Sequence, residues 1–417
     1  MISSRRNLLA KILTILCNSC SKSTKLSACH NSIIYITLFF VISNRLMSSL
    51  NLDLYFAKHF FQNITGLFAI INLFLFIKQK QYKYVFIIFI TLILGILVKL
   101  NSGSSIILFF LSFTVAFARL DYKYSMYVFI SSISTFALIT FTFSSLEITD
   151  DIVYAVRENT LRETFGFGHP NALGGLTFIF CLTFWCINNQ HIYNFISLFF
   201  SIFFLIFLQI YVDSRTSQQL LYILILITLL YEIALVFDFN EDKFFNNLVI
   251  KSLLLYTFAI LTIGFILFVY FYNSESVFYC KLDRLFSNRL SLSHNAFNSF
   301  NLTLFGQKLN LSDEDPFSLS SVSAVKYMVL DPFCISILFK NGIVSLLFFG
   351  LSFTLITYKA IKNKIYKIAI ALSLITIYGL MENKIATISF NIFLFMGMMS
   401  FKQFRLYKNT VKIPFGR

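Results

Sequence analysis

The chain has 417 residues, of which 57% are hydrophobic, 18% aromatic and only 13% charged. With a positive mean hydropathy, this composition excludes a soluble domain and points to a multi-spanning membrane protein. The net charge of +15 is spread over short loops such as Lys78, Lys80, Lys83 and Lys359, Lys362, Lys364, Lys367, which reads as topology determinants near anionic headgroups and argues against nucleic-acid binding.

In chain order, residues 1–31 form a basic segment in which Arg5 and Arg6 precede only a short apolar stretch, interrupted by Lys11. That is too weak for a signal peptide, and an amphipathic segment on the inner leaflet is expected instead. Apolar runs of roughly 20 residues, the length that crosses a bilayer core, then recur. Broken at charged or Gly/Asn/Pro clusters, they predict about twelve helical spans. These lie near 32–49, 60–77, 84–100, 105–120, 125–143, 171–187, 192–211, 218–236, 248–272, 341–358, 368–381 and 385–401. Continuous Phe/Ile/Leu runs do not fit the alternation of a barrel, so the expected fold is all-α and polytopic.

Positive charge favours the cytoplasmic side. With residue 1 inside, inner segments hold roughly 21 of the 34 Lys+Arg and about 5 of the 19 Asp+Glu, so both termini are expected in the cytoplasm. The first nine spans then occupy 32–272 and the last three 341–401. Two connections are long, an outer loop at about 144–170 and a large extracytoplasmic loop at 273–340; 402–417 is a basic cytoplasmic tail. The localisation expected from this is a cytoplasmic (cell) membrane with a site facing outside.

Seven cysteines do not make a disulfide scaffold in a chain of this length. Of Cys17, Cys20, Cys29 and His30, the second pair lacks the usual CxxC or HxxxH spacing of a zinc site, so no metal is expected. Cys280 and Cys334 both fall on the outer side, where a pairing stays open.

The outward loops carry the polar chemistry. The first holds Glu147, Asp150, Asp151, Arg157, Glu158, Arg162 and Glu163, then Gly166-Phe167-Gly168-His169-Pro170-Asn171 at the lip of a span. The second holds Asp283, Arg289, His294, Asp313, Glu314, Asp315, Lys326 and Asp331. Solvated ion pairs are the bland alternative for both. A third turn, Asp213-Ser214-Arg215-Thr216-Ser217, puts Arg215 at the interface, where an ionisable group is functional by default and snorkelling to headgroups is its rival. Asp331 precedes Pro332 and so sits near a helix start, where it is either a cap or a carboxylate aimed into a cavity. Glu382, in the turn Met381-Glu382-Asn383-Lys384, has the same two readings, and His169 could simply cap the span behind Pro170.

These residues together resemble a family. The chain looks like the Wzy-type bacterial polysaccharide polymerases of the O-antigen ligase/polymerase superfamily, across its whole length. Arg157 through Asn171 resembles the motif before a middle span, with an Arg-x10-Gly spacing from Arg157 to Gly168. Asp213-Ser214-Arg215 resembles the Ser-Arg turn, Asn288-Arg289-Leu290 with Leu304-Phe305-Gly306-Gln307 the large-loop segment, and Leu330-Asp331 ahead of Gly342 the loop exit. The ligase relatives carry a His-Asn pair at that exit, where this chain has Asp331-Pro332.

The resemblance implies an enzyme that polymerises polyprenyl diphosphate-linked oligosaccharide repeat units into a capsule, O-antigen or exopolysaccharide, by inverting glycosyl transfer on the outer face. An O-antigen ligase and a lipid-linked oligosaccharide flippase are the alternatives. Arginines suit the leaving diphosphate because their planar fork pairs with phosphate oxygens and keeps its charge. Arg215 and Arg289 are accordingly the expected diphosphate ligands, with Arg157, Arg162 and Glu382 as further substrate contacts. His169 and Asp331 compete for the base that takes the acceptor proton, Asp331 being favoured by its position at the loop exit. Membrane lipids, and the chain-length regulator and flippase of the same pathway, are the implied partners; no cofactor is expected.

Overall fold

The computed structural model describes residues 24–47, 55–118, 120–148, 154–157, 160–187, 190–237, 239–309 and 330–401. Among them regular structure is helical, apart from one antiparallel hairpin of Tyr154–Arg157 (β1) and Thr160–Arg162 (β2). The first half holds α1 Thr24–Met47, α2 Tyr55–Lys78, α3 Tyr82–Ser102, α4 Ile106–Ala116 and α5 Tyr122–Ser145. Next come α6 Pro170–Ile187, α7 His191–Phe207, α8 Arg215–Val236, the short α9 Glu241–Phe245 and α10 Leu248–Tyr270. Two helices of the large loop, α11 Val277–Leu285 and α12 Arg289–Ser299, precede a single turn α13 Phe333–Ser336 and then α14 Ile343–Lys362 and α15 Tyr366–Gly379. Each of the first eleven expected spans falls on one of these helices.

Among the described residues, seven helices are long and apolar enough to cross a membrane: α3, α5, α6, α7 with its π-helical extension to Val212, α8, α10 and α14. Twenty helical residues cover about 30 Å, the hydrocarbon thickness. Those seven make the chain a polytopic, helical membrane protein by length and composition. Shorter apolar stretches lie at Ser32–Ser43, Gln62–Lys78, Ile106–Ala116 and Tyr366–Gly379. The 14 residues of α15 cover only about 21 Å, and their side chains are largely enclosed by neighbouring helices.

The expected twelfth span, 385–401, is not an α-helix. It folds as two 3₁₀ turns, Asn383–Ala386 and Phe393–Met398, with Ile385, Ile388, Phe390 and Ile392 through Met396 buried. Irregular backbone at membrane depth is stable only where protein covers it and meets its polar groups. Here Asn391 does part of this, donating to the Ile385 carbonyl at 2.9 Å and accepting from Leu394 N at 3.1 Å. Lys359 reaches in to the carbonyls of Gly397 at 3.0 Å and Met399 at 2.7 Å. The segment is apolar because protein, not lipid, surrounds it.

Local signals set the helix ends. Asp121 caps α5, accepting from Lys123 N at 2.9 Å and Tyr124 N at 3.2 Å, and Asn247 caps α10 through Val249 N at 3.0 Å. Pro170 occupies the first position of α6, where its missing N–H costs nothing. Helix α6 is the centre of the bundle, buried along most of its length and packed on α5, α7, α8 and α15. In lipid, helix association depends on close van der Waals fit more than on release of water. Small residues supply the fit: a Cβ on Gly174 would collide with Ser214, which leads into α8, and one on Gly175 with the Tyr378 hydroxyl of α15.

Three sequence expectations fall wholly or partly outside the described residues. They are the 1–31 segment, of which only the backbone from Thr24 belongs to α1, the tail at 402–417, and the zinc reading of Cys17, Cys20, Cys29 and His30. The same holds for Asp313, Glu314, Asp315 and Lys326. Cys280 and Cys334 do not pair; both are free, Cys334 buried and Cys280 donating to the Ser274 carbonyl at 3.1 Å.

Candidate functional site

Four segments distant in sequence meet where α6 and α14 begin and α10 and α15 end. The first is the hairpin and the turn into α6. Arg162, last residue of β2, donates through Nε to the Val212 carbonyl at 3.2 Å and through Nη2 to Asn171 Oδ1 at 3.1 Å. Asn171 then donates to Glu382 Oε1 at 3.2 Å. His169 precedes Pro170 and accepts the Asn171 N–H on Nδ1 at 3.0 Å, so the capping role foreseen for it is real. That bond also sets the tautomer, leaving the proton of the neutral ring on Nε2 as a hydrogen-bond donor.

The second segment is α12. Buried Asp283 accepts Leu290 N at 2.9 Å and Ser291 N at 3.2 Å on one oxygen, and the Tyr272 hydroxyl at 3.3 Å on the other. These bonds satisfy donors left open in the first turn of α12 and fix the residue that starts it, Arg289. His294 anchors the same helix to the end of α10, its Nδ1 lying 2.9 Å from the Val269 carbonyl. Arg289 is consequently buried, and it pairs with two carboxylates: Glu382 Oε1 at 2.8 Å and Asp331 Oδ2 at 3.3 Å.

The third segment is the loop exit. Asp331 is no helix cap: Pro332 precedes α13 without a side-chain cap, and the Asp331 carboxylate turns to Arg289 with about 36% of its side chain exposed. Behind it a backbone clamp ties the loop to α14. Gln307 N donates to Lys340 O at 3.2 Å, Ile343 N to Thr303 O at 3.0 Å and Val344 N to Leu304 O at 3.1 Å. The clamp needs glycine on both sides. Gly306 and Gly342 each have φ +88°, and a Cβ on either would strike the other strand's backbone. The Leu304-Phe305-Gly306-Gln307 motif therefore ties the large loop to the start of α14.

The fourth segment is the turn after α15, bearing Glu382 and Lys384. Burial raises the Glu382 carboxyl above its ordinary range, with Arg289 pulling the other way. Burial lowers the Lys384 ammonium, opposed by Glu382 and Asp331. Enclosure by protein, then the charges of Lys384, Arg162 and Arg289, pushes the His169 imidazole down to about 4. The ring keeps an exposed face, so solvent screens part of this, but three cations and enclosure act in the same direction. His169 is a neutral donor at pH 7.

Of the expected site residues, Arg162, His169, Arg289, Asp331 and Glu382 thus converge. Arg215 opens α8 with an exposed side chain; Ser214, against Gly174, places it at the same end of the bundle, outside the chain of bonds just traced. Arg157 lies in β1, its side chain beyond the described residues. Asn171 and Lys384 belong to the cluster although sequence reasoning assigned them no role. Both stand inside motifs already singled out, Asn171 after His169-Pro170 and Lys384 after Glu382. Among the described residues, no three His, Cys, Asp or Glu side chains gather as a metal set.

The arrangement can hold an anion beside a carboxylate. It offers cations, a neutral imidazole N–H and one half-exposed carboxylate, on helices and clamped loops that fix their positions. The chain matches no family model, no curated protein and no solved structure.

Proposed function

We propose that the protein is a glycosyltransferase that polymerises polyprenyl diphosphate-linked oligosaccharide repeat units on the outer face of the cytoplasmic membrane. The observation that supports this best is the Arg289 junction. Residues from four separated segments, most of them picked out in order by the polymerase resemblance, are bonded into one cluster at one end of an apolar bundle.

In this reading the acceptor hydroxyl attacks the anomeric carbon and the bond from that carbon to the diphosphate oxygen breaks, inverting the centre. The hydroxyl proton passes to Asp331, the more open of the two carboxylates. His169 donates through Nε2 to an oxygen of the substrate and is not the base, because its Nδ1 is occupied by the Asn171 N–H. Arg289, its charge balanced by Asp331 and Glu382, positions the base instead of binding the diphosphate. Glu382 and Asn171 complete that support, and Arg215 and Arg162 line the same end toward the lipid-linked substrate. A site at the end of the helices suits a donor whose polyprenyl tail stays in the bilayer.

The test is reconstitution in proteoliposomes with a purified polyprenyl diphosphate-linked repeat unit. A ladder of lengthening lipid-linked glycans is expected. A single transfer onto another acceptor would make the protein a ligase, and passage of the lipid-linked unit across the bilayer without bond formation would make it a flippase.

A further inference from the structure

Three lysines among the described residues reach into the protein, Lys367 buried and Lys359 and Lys384 half-buried, and they are not alike. Lys359 donates to two carbonyls, Gly397 at 3.0 Å and Met399 at 2.7 Å. Lys367 donates to the Trp185 carbonyl at 3.1 Å and Asn194 Oδ1 at 2.5 Å, between the rings of Trp185 and Tyr231. The Lys384 ammonium has neither hydrogen bond nor ion pair among the described residues; its Nζ lies over the Phe390 ring, 5.3 Å from the centroid. A half-buried ammonium without acceptors is held at a cost, and its three N–H groups remain to be satisfied.

The surroundings say by what. The carboxylates whose charge acts on Lys384, Glu382 and Asp331, are both paired with Arg289, so the guanidinium offsets part of their charge. The guanidinium of Arg162 is held by Val212 and Asn171. The charge state of His169 feels Lys384, and its ring carries the proton on Nε2 because Nδ1 accepts from Asn171 N. An ammonium and a neutral imidazole N–H beside a balanced ion-pair triad form a site for phosphate oxygens, and Lys is a usual point charge for them. The position is also chemically apt: Lys384 stands two residues from Glu382, which shares Arg289 with the proposed base Asp331, and the charge of Asp331 acts on it.

We infer that Lys384, not Arg289, is the principal cation for the diphosphate of the lipid-linked donor. This rests on the glycosyl-transfer reading above, but the ligand it names can be tested without glycosyl transfer. A phosphate diester of bulk lipid has related chemistry, so the experiment separates the two sources. Full-length protein in zwitterionic nanodiscs is titrated with sugar-free polyprenyl diphosphate and with polyprenol. The variants are Lys384→Met, Lys384→Arg and Lys281→Met, the last an exposed lysine of α11, each first checked for monodisperse elution.

Lys384→Met is expected to raise the Kd for polyprenyl diphosphate about tenfold or more, the scale of one charge-assisted bond lost. Lys384→Arg should recover most of the affinity, Lys281→Met should match wild type, and polyprenol should bind all four alike. Inorganic pyrophosphate should compete, whereas anionic phospholipid at matched concentration should not. Wild-type affinity in Lys384→Met would overturn the inference and leave the glycosyl-transfer reading standing. Displacement by anionic phospholipid would make Lys384 a headgroup anchor. A wild type that does not distinguish polyprenyl diphosphate from polyprenol would remove both.

Discussion

Removing the Arg289 guanidinium should be far more damaging than removing either of its carboxylate partners. Arg289 and Glu382 have side chains 8% and 9% exposed, while Asp331 is at 36%. In Arg289→Met, Glu382 loses its 2.8 Å counter-ion inside the protein, and uncompensated buried charge costs about 3–5 kcal/mol. Glu382 softens the loss by protonating, since burial already raises its carboxyl, so the expected destabilisation is about 3 kcal/mol, the low end of that range. Glu382→Gln leaves Arg289 with Asp331 and keeps an amide oxygen for Asn171, and should cost about 1 kcal/mol. The double variant should be more stable than Arg289→Met alone, because the stranded carboxylate is gone. Equilibrium unfolding in mixed micelles at pH 7 gives all three values and the coupling energy. Additive effects, with the double variant the least stable of the set, would refute the pairing as the source of the cost.

Three further outcomes follow from the same geometry. The lowered His169 means that the folded state binds fewer protons than the unfolded state between about 4 and the ordinary 6.5; stability should fall as pH drops through that window, and His169→Gln should flatten the fall, which unfolding at pH 7, 6 and 5 would show. Gly342→Ala forces a side chain into a φ of +88° and against Gly306 and Leu304, so it should destabilise by about 2–3 kcal/mol and increase proteolysis in the large loop; unchanged thermal unfolding would count against the clamp. Lys367→Met, at the opposite end of the bundle, should lower the unfolding temperature while leaving the Michaelis constant for lipid-linked donor unchanged; a raised constant would extend the site to that end.

The helical frame was legible because apolar runs with charged breaks say where helices begin and end, and α1 to α8, α10, α14 and α15 follow them, whereas the short helices α9 and α11 to α13 lie between the runs. The segment 385–401 was misread for a physical reason: lipid and protein interiors demand the same side chains, so composition does not tell a spanning helix from irregular backbone wrapped by other helices. Asn391 and Lys359, which supply its polar partners, are ordinary residues in sequence. At the site, rarity of charge drew attention to Arg162, His169, Arg289, Asp331 and Glu382 along with Arg157 and Arg215, and the structure brings the first five together. Their relations were hidden, since nothing in the spacing of Arg289, Asp331 and Glu382 says that one guanidinium joins the other two. The preference for arginine as phosphate ligand likewise assigned Arg289 a role that its pairing with two carboxylates argues against. Lys384 passed unnoticed because what sets its ammonium apart, the lack of a hydrogen-bond acceptor among the described residues, shows only in the fold.

A second polar cluster was equally invisible. Glu232 joins His191 at 2.7 Å and Asn194, which in turn accepts from Lys367, tying α7, α8 and α15 together at the end opposite the candidate site. Each of these residues sits near a helix terminus, where sequence gives no sign of which neighbour it meets.

The most direct test of the glycosyl-transfer account is the initial rate of glycan-ladder formation by reconstituted wild type and Asp331→Asn at equal folded concentration. Asparagine keeps the size of the side chain and a bond acceptor for Arg289 but cannot take the acceptor proton, so the account predicts a ladder from wild type and a loss of about 100-fold or more in the variant. A ladder formed by Asp331→Asn at the wild-type rate would contradict Asp331 as the base, and no ladder from wild type would contradict the function itself.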